Sequence, residues 1–318
     1  MAASGVAIAV IILSQTVVGV LGNFSLLFYY LFLSFTEHKL RSTDLIFKHL
    51  IVANLLTLLC KGVPQTMVAL GLNVSFSDFA CKLLFYLHRV GRGMSIGGTC
   101  LLSIFQAITI SSRHSRWAEL KSKALKYVWS FIYPSWILYM LVNALFPMYM
   151  SAKRSNGSIT NLKDFGFCSA IRQDKTRDSL HTALLAFPDV LCMGLMLWAS
   201  SHMVFILHRH RQQVRHIRRT NVSPEARATK SILLLVSTFV CFYALSCIFQ
   251  ACLSLTDNPS MFLLNSATIF AACFPTVSPF VLMSSDPSVA RLCRACIRNR
   301  RFMNLLASLD TLSVFFAY

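Results

Sequence analysis

The chain has 318 residues, 55% hydrophobic and only 13% charged, with 30 Lys and Arg against 12 Asp and Glu and a formal net charge of +18. Water-soluble chains carry about a quarter charged residues, so the composition excludes an ordinary soluble domain. The basic excess alone would admit nucleic-acid binding, but no soluble stretch is present to carry such a patch, and no nucleic-acid partner is expected.

About 20 predominantly apolar residues cross the hydrocarbon core. Seven segments meet that length, at 6–33, 45–72, 82–110, 128–148, 180–207, 229–255 and 262–283. Lipid offers backbone groups no hydrogen-bond partners, so spanning segments close their bonds internally as helices. The expected fold is therefore all-α, a single seven-transmembrane helix bundle over 1–318. The first segment lacks a basic n-region and a small-residue cleavage site, and reads as a retained signal-anchor. The second holds Lys48 and Lys61, which should lower its hydropathy, and the fourth is interrupted by Pro134 and Pro147. A long gap follows the fourth; the other gaps are short. After the seventh, Asp286-Pro287 opens a short helix over 287–299, with a capping carboxylate and a first-turn proline. Val289, Leu292, Cys293, Cys296 and Ile297 form one apolar face, and Arg291, Arg294 and Arg298 lie on the other. That pattern is an amphipathic helix drawn to anionic membrane lipid, with Cys293 and Cys296 as palmitoylation candidates.

Cytoplasmic segments carry an excess of Lys and Arg. Most of the basic residues fall on one side if the N-terminus is outside: Lys39 and Arg41, then Arg113, Arg116, Lys121, Lys123 and Lys126, then Arg209, Arg211, Arg215, Arg218 and Arg219, and the tail arginines. The sequons at Asn156 and Asn73 then face outward as glycosylation sites, whereas those at Asn23 and Asn221 are chance matches. There are 11 cysteines, an odd number, so no complete disulfide framework is expected. Cys81 opens the third segment on the outer side and Cys168 lies in the long outer gap, where a disulfide persists. A Cys81–Cys168 bridge would tie that loop over the bundle.

These features resemble the G-protein-coupled receptor plan, as does the Gly22-Asn23 pair. The rhodopsin-like hallmarks are nevertheless largely missing. Asn54 stands where that group holds an aspartate, Phe105-Gln106-Ala107 replaces Asp-Arg-Tyr, Ser278-Pro279-Phe280 replaces Asn-Pro, and the sixth segment has no Cys-Trp-x-Pro. The runs KHLIVANLLTLLCKGVPQTM (48–67), YLHRVGRGMSIGGTCLLSIFQAITISS (86–112), SRWAELK (115–121), SPEARATKSILLLVSTF (223–239) and FPTVSPFVLMSSD (274–286) instead resemble the vomeronasal type-1 receptors, the pheromone receptor family. The resemblance implies a plasma-membrane chemosensory receptor that takes a small pheromone-like ligand from outside and activates an inhibitory-class heterotrimeric G protein inside. It implies no enzymatic activity, metal or organic cofactor. The alternatives are a bitter-taste-like receptor or a small-molecule transporter, although transporters commonly show internal repeats and paired interrupted helices, which the sequence lacks. Gln106 in place of the motif arginine means that any inactive-state lock must be built differently. The surface offered to the G protein would include Arg113, Arg116, Arg215, Arg218 and Arg219.

Ionisable residues inside spans are costly and mark pathways, pockets or structural pairs. Lys61 lies eleven residues beyond Leu50, about 16 Å along its helix. His88, Arg89 and Arg92 lie seven, eight and eleven residues beyond Cys81, about 10–17 Å deep. Asp189, beside Pro188, has a comparable depth and is expected to pair with Arg92, or failing that with Arg89. These five are the ligand-pocket candidates, and their basic excess would favour carboxylates or sulfated steroids. The competing reading has Lys61 and Arg89 snorkelling outward and leaving an apolar pocket. Gly93 and Gly97 form a small-residue step for close helix packing. The same stretch matches Gly-x-Ser-x-Gly, but that nucleophile motif needs a strand–turn–helix elbow, and this one falls mid-helix.

Overall fold

The computed structural model describes residues 3–36, 42–72, 76–111, 127–144, 146–152, 162–171, 175–215, 224–256 and 259–285. The expected helix over 287–299, with Cys293 and Cys296, lies outside them, as do Asn73, Asn156, Arg113, Arg116, Arg218 and Arg219.

Among the described residues seven helical rods run in chain order. They are α1 (Ala3–Thr36), α2 (α-helical over Ser42–Thr57 and Val63–Ala69), α3 (Asp78–Ser111), α4 (Trp129–Asn143), α5 (Lys175–Arg215), α6 (Pro224–Leu255) and α7 (Met261–Ser285). A π-helical turn over Leu58–Gly62 joins the two parts of α2. Its cause is local. Pro64 has no N–H to offer the carbonyl of Cys60, and its ring crowds that carbonyl, so the helix widens just before it. Serine caps two of the starts: the Ala80 N–H donates to Ser77 Oγ, and the Leu263 N–H to Ser260 Oγ.

Two helices depart most from the expected bounds. α4 stops at Asn143 and gives way to a 3₁₀ turn over Phe146–Tyr149 instead of continuing to 148. Pro147 can neither bond nor sit beside the carbonyl of Asn143, which ends the α-helix there. α5 runs well past both expected ends, because the flanking Arg, Gln and Lys residues are good helix formers with no Gly or Pro among them. Arg209, Arg211 and Arg215 therefore ride on a helix and not in a loop.

Among the described residues four helical stretches are long and apolar enough to cross a membrane: Gly5–Phe35, Thr43–Ala69, Ala186–Ile206 and Met261–Met283. Lys48 and Lys61 do not keep α2 out of this set, contrary to the low hydropathy expected of it. Of the rest, α4 is short, α6 is apolar over the shorter stretch Ser237–Leu253, and the apolar run of α3 is broken by Lys82, His88, Arg89 and Arg92. The outward surface is strongly apolar: Phe28, Phe35, Phe187, Trp198 and Phe262 are all more than half exposed. So large an apolar belt is untenable in water and at home in lipid. This is a helical membrane protein.

α3 is the central rod, packed against α2, α4 and α5, while α1 lies against α2 and α7, and α6 against α5 and α7. The core contains Leu26, Tyr30, Leu50, Ile51, Met94, Leu102, Phe239 and Phe274, all nearly or fully buried. Gly93 and Gly97 do not bring two backbones together. A Cβ on Gly93 would overlap the Tyr139 ring outright, and one on Gly97 would meet it at 3.0 Å. The step is a bed for that α4 ring.

The long connection between α4 and α5 is not the plain loop that its sequence suggests. It contains an antiparallel sheet ordered β1–β3–β2, with β1 over Met150–Ala152, β2 over Leu162–Asp164 and β3 over Cys168–Ile171. Ala152 pairs with Cys168, and Asp164 with Ser169. Gly166 turns the β2–β3 hairpin at φ +93°, open to glycine alone at low cost, and donates its N–H to Asp164 Oδ1 at 2.8 Å. Cys168 is bonded to Cys81 at the start of α3, as expected. Phe167 is buried beside the bridge, its ring stacked 5.2 Å from Phe85 of α3.

Candidate functional site

Five ionisable side chains of the spans, Lys61, His88, Arg89, Arg92 and Asp189, gather in one layer on the half of the bundle nearer the disulfide, whereas Lys48 lies at the other end, bonded to Ser34 of α1. On α3, Arg92 Nη1 donates to Asp189 Oδ2 of α5 at 2.9 Å. Both side chains are close to fully buried, at 13% and 10% exposure. Arg92 Nη2 donates to Cys247 Sγ of α6 at 3.0 Å, and the guanidinium carbon lies 5.7 Å from the centre of the Tyr243 ring. This one arginine thereby joins α3, α5 and α6. One turn nearer the disulfide, Arg89 Nε donates to Asn143 Oδ1 of α4 at 2.9 Å, and Asn143 Nδ2 donates to the Tyr139 carbonyl. His88 is 5% exposed, faces the Thr57 backbone of α2 and lies within electrostatic reach of Lys61, Arg89 and Arg92. Lys61 sits in the π turn of α2, and the same two arginines face it. Cation–π contact and buried charge-assisted bonds of this kind carry weight because the surroundings are dry.

Deeper in the bundle lies a neutral polar node. Asn23 of α1 donates through Nδ2 to the carbonyls of Gly19 and Pro275, at 2.7 and 2.8 Å. The Pro275 carbonyl is available because Pro279, four residues on, has no N–H to give it. Asn54 Nδ2 donates to Ser278 Oγ at 2.9 Å and more weakly to Asn23 Oδ1, while Ser95 Oγ donates to Asn54 Oδ1 at 2.9 Å. Four helices meet there, with both asparagine amides engaged. Ser95 is thus a packed, fully buried hydroxyl within α3, not a nucleophile on an elbow.

A profile described as the vomeronasal organ pheromone receptor family matches residues 6–295. The chain is 60% identical over 288 residues to the vomeronasal type-1 receptor 4 of Homo sapiens, covering 89% of this chain and 96% of that one. It is 56% identical to the human vomeronasal type-1 receptor 2 over 92% of this chain and 75% of that one, and 52% identical to the human receptor 3 over 96% and 100%.

The chain belongs to the vomeronasal type-1 receptor family. That is a family of chemosensory G-protein-coupled receptors, and the bitter-taste-like alternative falls away. In this vomeronasal-type chain all five pocket candidates, Lys61, His88, Arg89, Arg92 and Asp189, occur in the one charged layer just described. Asn143, Tyr243 and Cys247 complete it and are not foreseen from sequence, since neutral partners leave no mark on a charge count. The polar node is half visible there: Asn23 and Asn54 stand out within spans, but their joining through Ser95, Ser278 and the carbonyl freed by Pro279 is a tertiary matter. Of the residues expected to face the G protein, Arg215 ends α5, and the rest lie outside the described residues.

Proposed function

We propose that the chain is a single seven-transmembrane receptor domain of the plasma membrane, with its N-terminus outside, that recognises a small ligand at the charged layer. The ligand enters from the disulfide end and engages Lys61, His88, Arg89 and Arg92, with Asp189 holding Arg92 in place. The receptor then acts on an inhibitory-class heterotrimeric G protein through the opposite face, to which we assign Arg113, Arg116, Arg215, Arg218 and Arg219 from their place in the sequence. It works as a receptor and not as an enzyme, and needs no cofactor. The observation that carries this reading is the Arg92–Asp189 pair, because membrane-buried ionisable groups concentrate at sites of function. The basic groups outnumber the acid in this layer, which favours an anionic or strongly polar ligand end. Basic residues on the opposite face serve both as topological anchors and as contacts for the G protein.

The test is second-messenger signalling in cells that express the chain with a promiscuous G protein, challenged with steroid sulfates and small organic acids. At equal surface expression, Arg89→Ala or Arg92→Ala should lower potency about 10–100-fold, the worth of one charge-assisted hydrogen bond. A receptor that answers only neutral apolar compounds would refute the charged site.

A further inference from the structure

We infer that Phe165, in the β2–β3 turn, is the gate of the ligand path and sets which molecules reach the charged layer. This rests on the reading above that the ligand enters from the disulfide end.

The turn lies across the mouth of the bundle and touches four helices. Gly166 lies against Val68 and Gln65 of α2, where a Cβ would come within 3.5–3.9 Å of their side chains. Phe167 is 3% exposed, packs with Cys81 and Cys168, and stacks on Phe85 of α3. Phe165 reaches the other way. Its ring meets the Phe85 ring edge-on at 5.6 Å, and the side chain packs against the cluster that Leu253 of α6 forms with Leu264 and Ala267 of α7. The two phenylalanines therefore differ in kind. Phe167 is fixed beside the covalent bridge. Phe165 closes the gap between α3 and the α6–α7 pair through apolar contacts alone, and its ring is only partly buried.

Position then gives the ring its role. Arg89 lies four residues beyond Phe85 on α3, and Lys61 four before Gln65 on α2. At a rise of ~1.5 Å per residue the turn stands about 6 Å above both, and about 10 Å above Arg92. A molecule reaching that layer from the loop side must pass the Phe165 ring and then lie beneath it. Two hydrogen bonds that do not involve the Phe165 ring hold the turn itself, from the Phe165 N–H to the Cys168 carbonyl and from the Gly166 N–H to Asp164 Oδ1, at 2.9 and 2.8 Å. Substitution of the Phe165 ring therefore leaves the turn and the disulfide standing.

The experiment needs no known ligand. Cys247 bonds Arg92 within the charged layer and serves as a reporter. Intact cells are treated with a membrane-impermeant sulfonated methanethiosulfonate, and the labelling rate of Cys247 is taken as the difference from a Cys247→Ser background. Phe165→Ala should speed this labelling severalfold, and Phe165→Trp should slow it, at unchanged surface expression. Phe167→Ala should lower surface expression instead. An unchanged rate in both Phe165 variants would overturn the gate while leaving the receptor reading intact. Conversely, a changed rate in a receptor silent to every compound tried would support the gate and count against the signalling reading.

Discussion

Asn23 shows how one side chain can answer a fault left by another. Pro279 removes a backbone donor inside α7, and the freed Pro275 carbonyl is met by the amide of α1. Replacing Asn23 with alanine should destabilise the receptor by about 0.5–2 kcal/mol, the span of values for hydrogen bonds inside a membrane. In a Pro279→Ala background α7 supplies its own N–H, and most of that cost should vanish. Thermal unfolding of the detergent-solubilised chain measures all four corners of the cycle, and equal losses in both backgrounds would refute the compensation. The Arg92–Asp189 pair yields a sharper contrast. Arg92→Ala strands a buried carboxylate and should cost about 3–5 kcal/mol, whereas Arg92→Leu with Asp189→Leu removes both charges and should recover most of it. The same unfolding assay separates the pair's structural contribution from its part in signalling. The pair is readable from sequence for a simple reason: Asp189 is the sole acid in any of the seven expected spans, so few partnerships are open to it. Tyr243 and Cys247 are not readable, because nothing in a sequence says which neutral residue of α6 faces α3.

Among the elements, the apolar runs are legible in the sequence and their ends are not. The length of α5 is underestimated because hydropathy stops at the charged residues while helix propensity does not. Pro147, which interrupts an apolar run on paper, is a terminus in the fold. The sheet between α4 and α5 leaves no signal because three- and four-residue strands carry too little alternation to register. Its attachment is the part that sequence does convey, through Cys81 and Cys168. Cys168→Ser should therefore loosen β3 and the turn carrying Phe165, at a cost of about 2–4 kcal/mol for a bridge closing so long a loop. The outcome to measure is surface expression together with Cys247 labelling, which should resemble that of Phe165→Ala. Similar logic applies to the bed for Tyr139 on α3. Gly93→Ala would push a methyl group into a rigid ring and should cost about 1–3 kcal/mol as overpacking. Pairing it with Tyr139→Leu should restore part of the loss, and no restoration would show that the strain lies in α3 itself.

Considered as a whole molecule, the chain is ordered by two asymmetries, an apolar belt around its girth and a basic excess biased toward one end. The belt makes it a membrane protein, and the bias is the ground for the proposed direction. With the N-terminus outside, the disulfide forms in the oxidising space where such bridges persist, and the loop that bears the gate faces the source of ligand. The opposite orientation would place Cys81 and Cys168 in a reducing compartment and most of the loop arginines on the side that the positive-inside bias disfavours. Direction is thus testable through the sequons. Asn156 falls in the same loop as Cys168 and should carry glycan, whereas Asn221, between α5 and α6, should not. Glycosidase treatment of the chain made in mammalian cells should raise its mobility, and Asn156→Gln should abolish most of that shift. Asn221→Gln should leave it unchanged. A shift that follows Asn221 instead would invert the molecule in the membrane. It would turn the charged layer and its aromatic roof toward the cytoplasm, and a ligand path opening there could not serve a receptor of external signals.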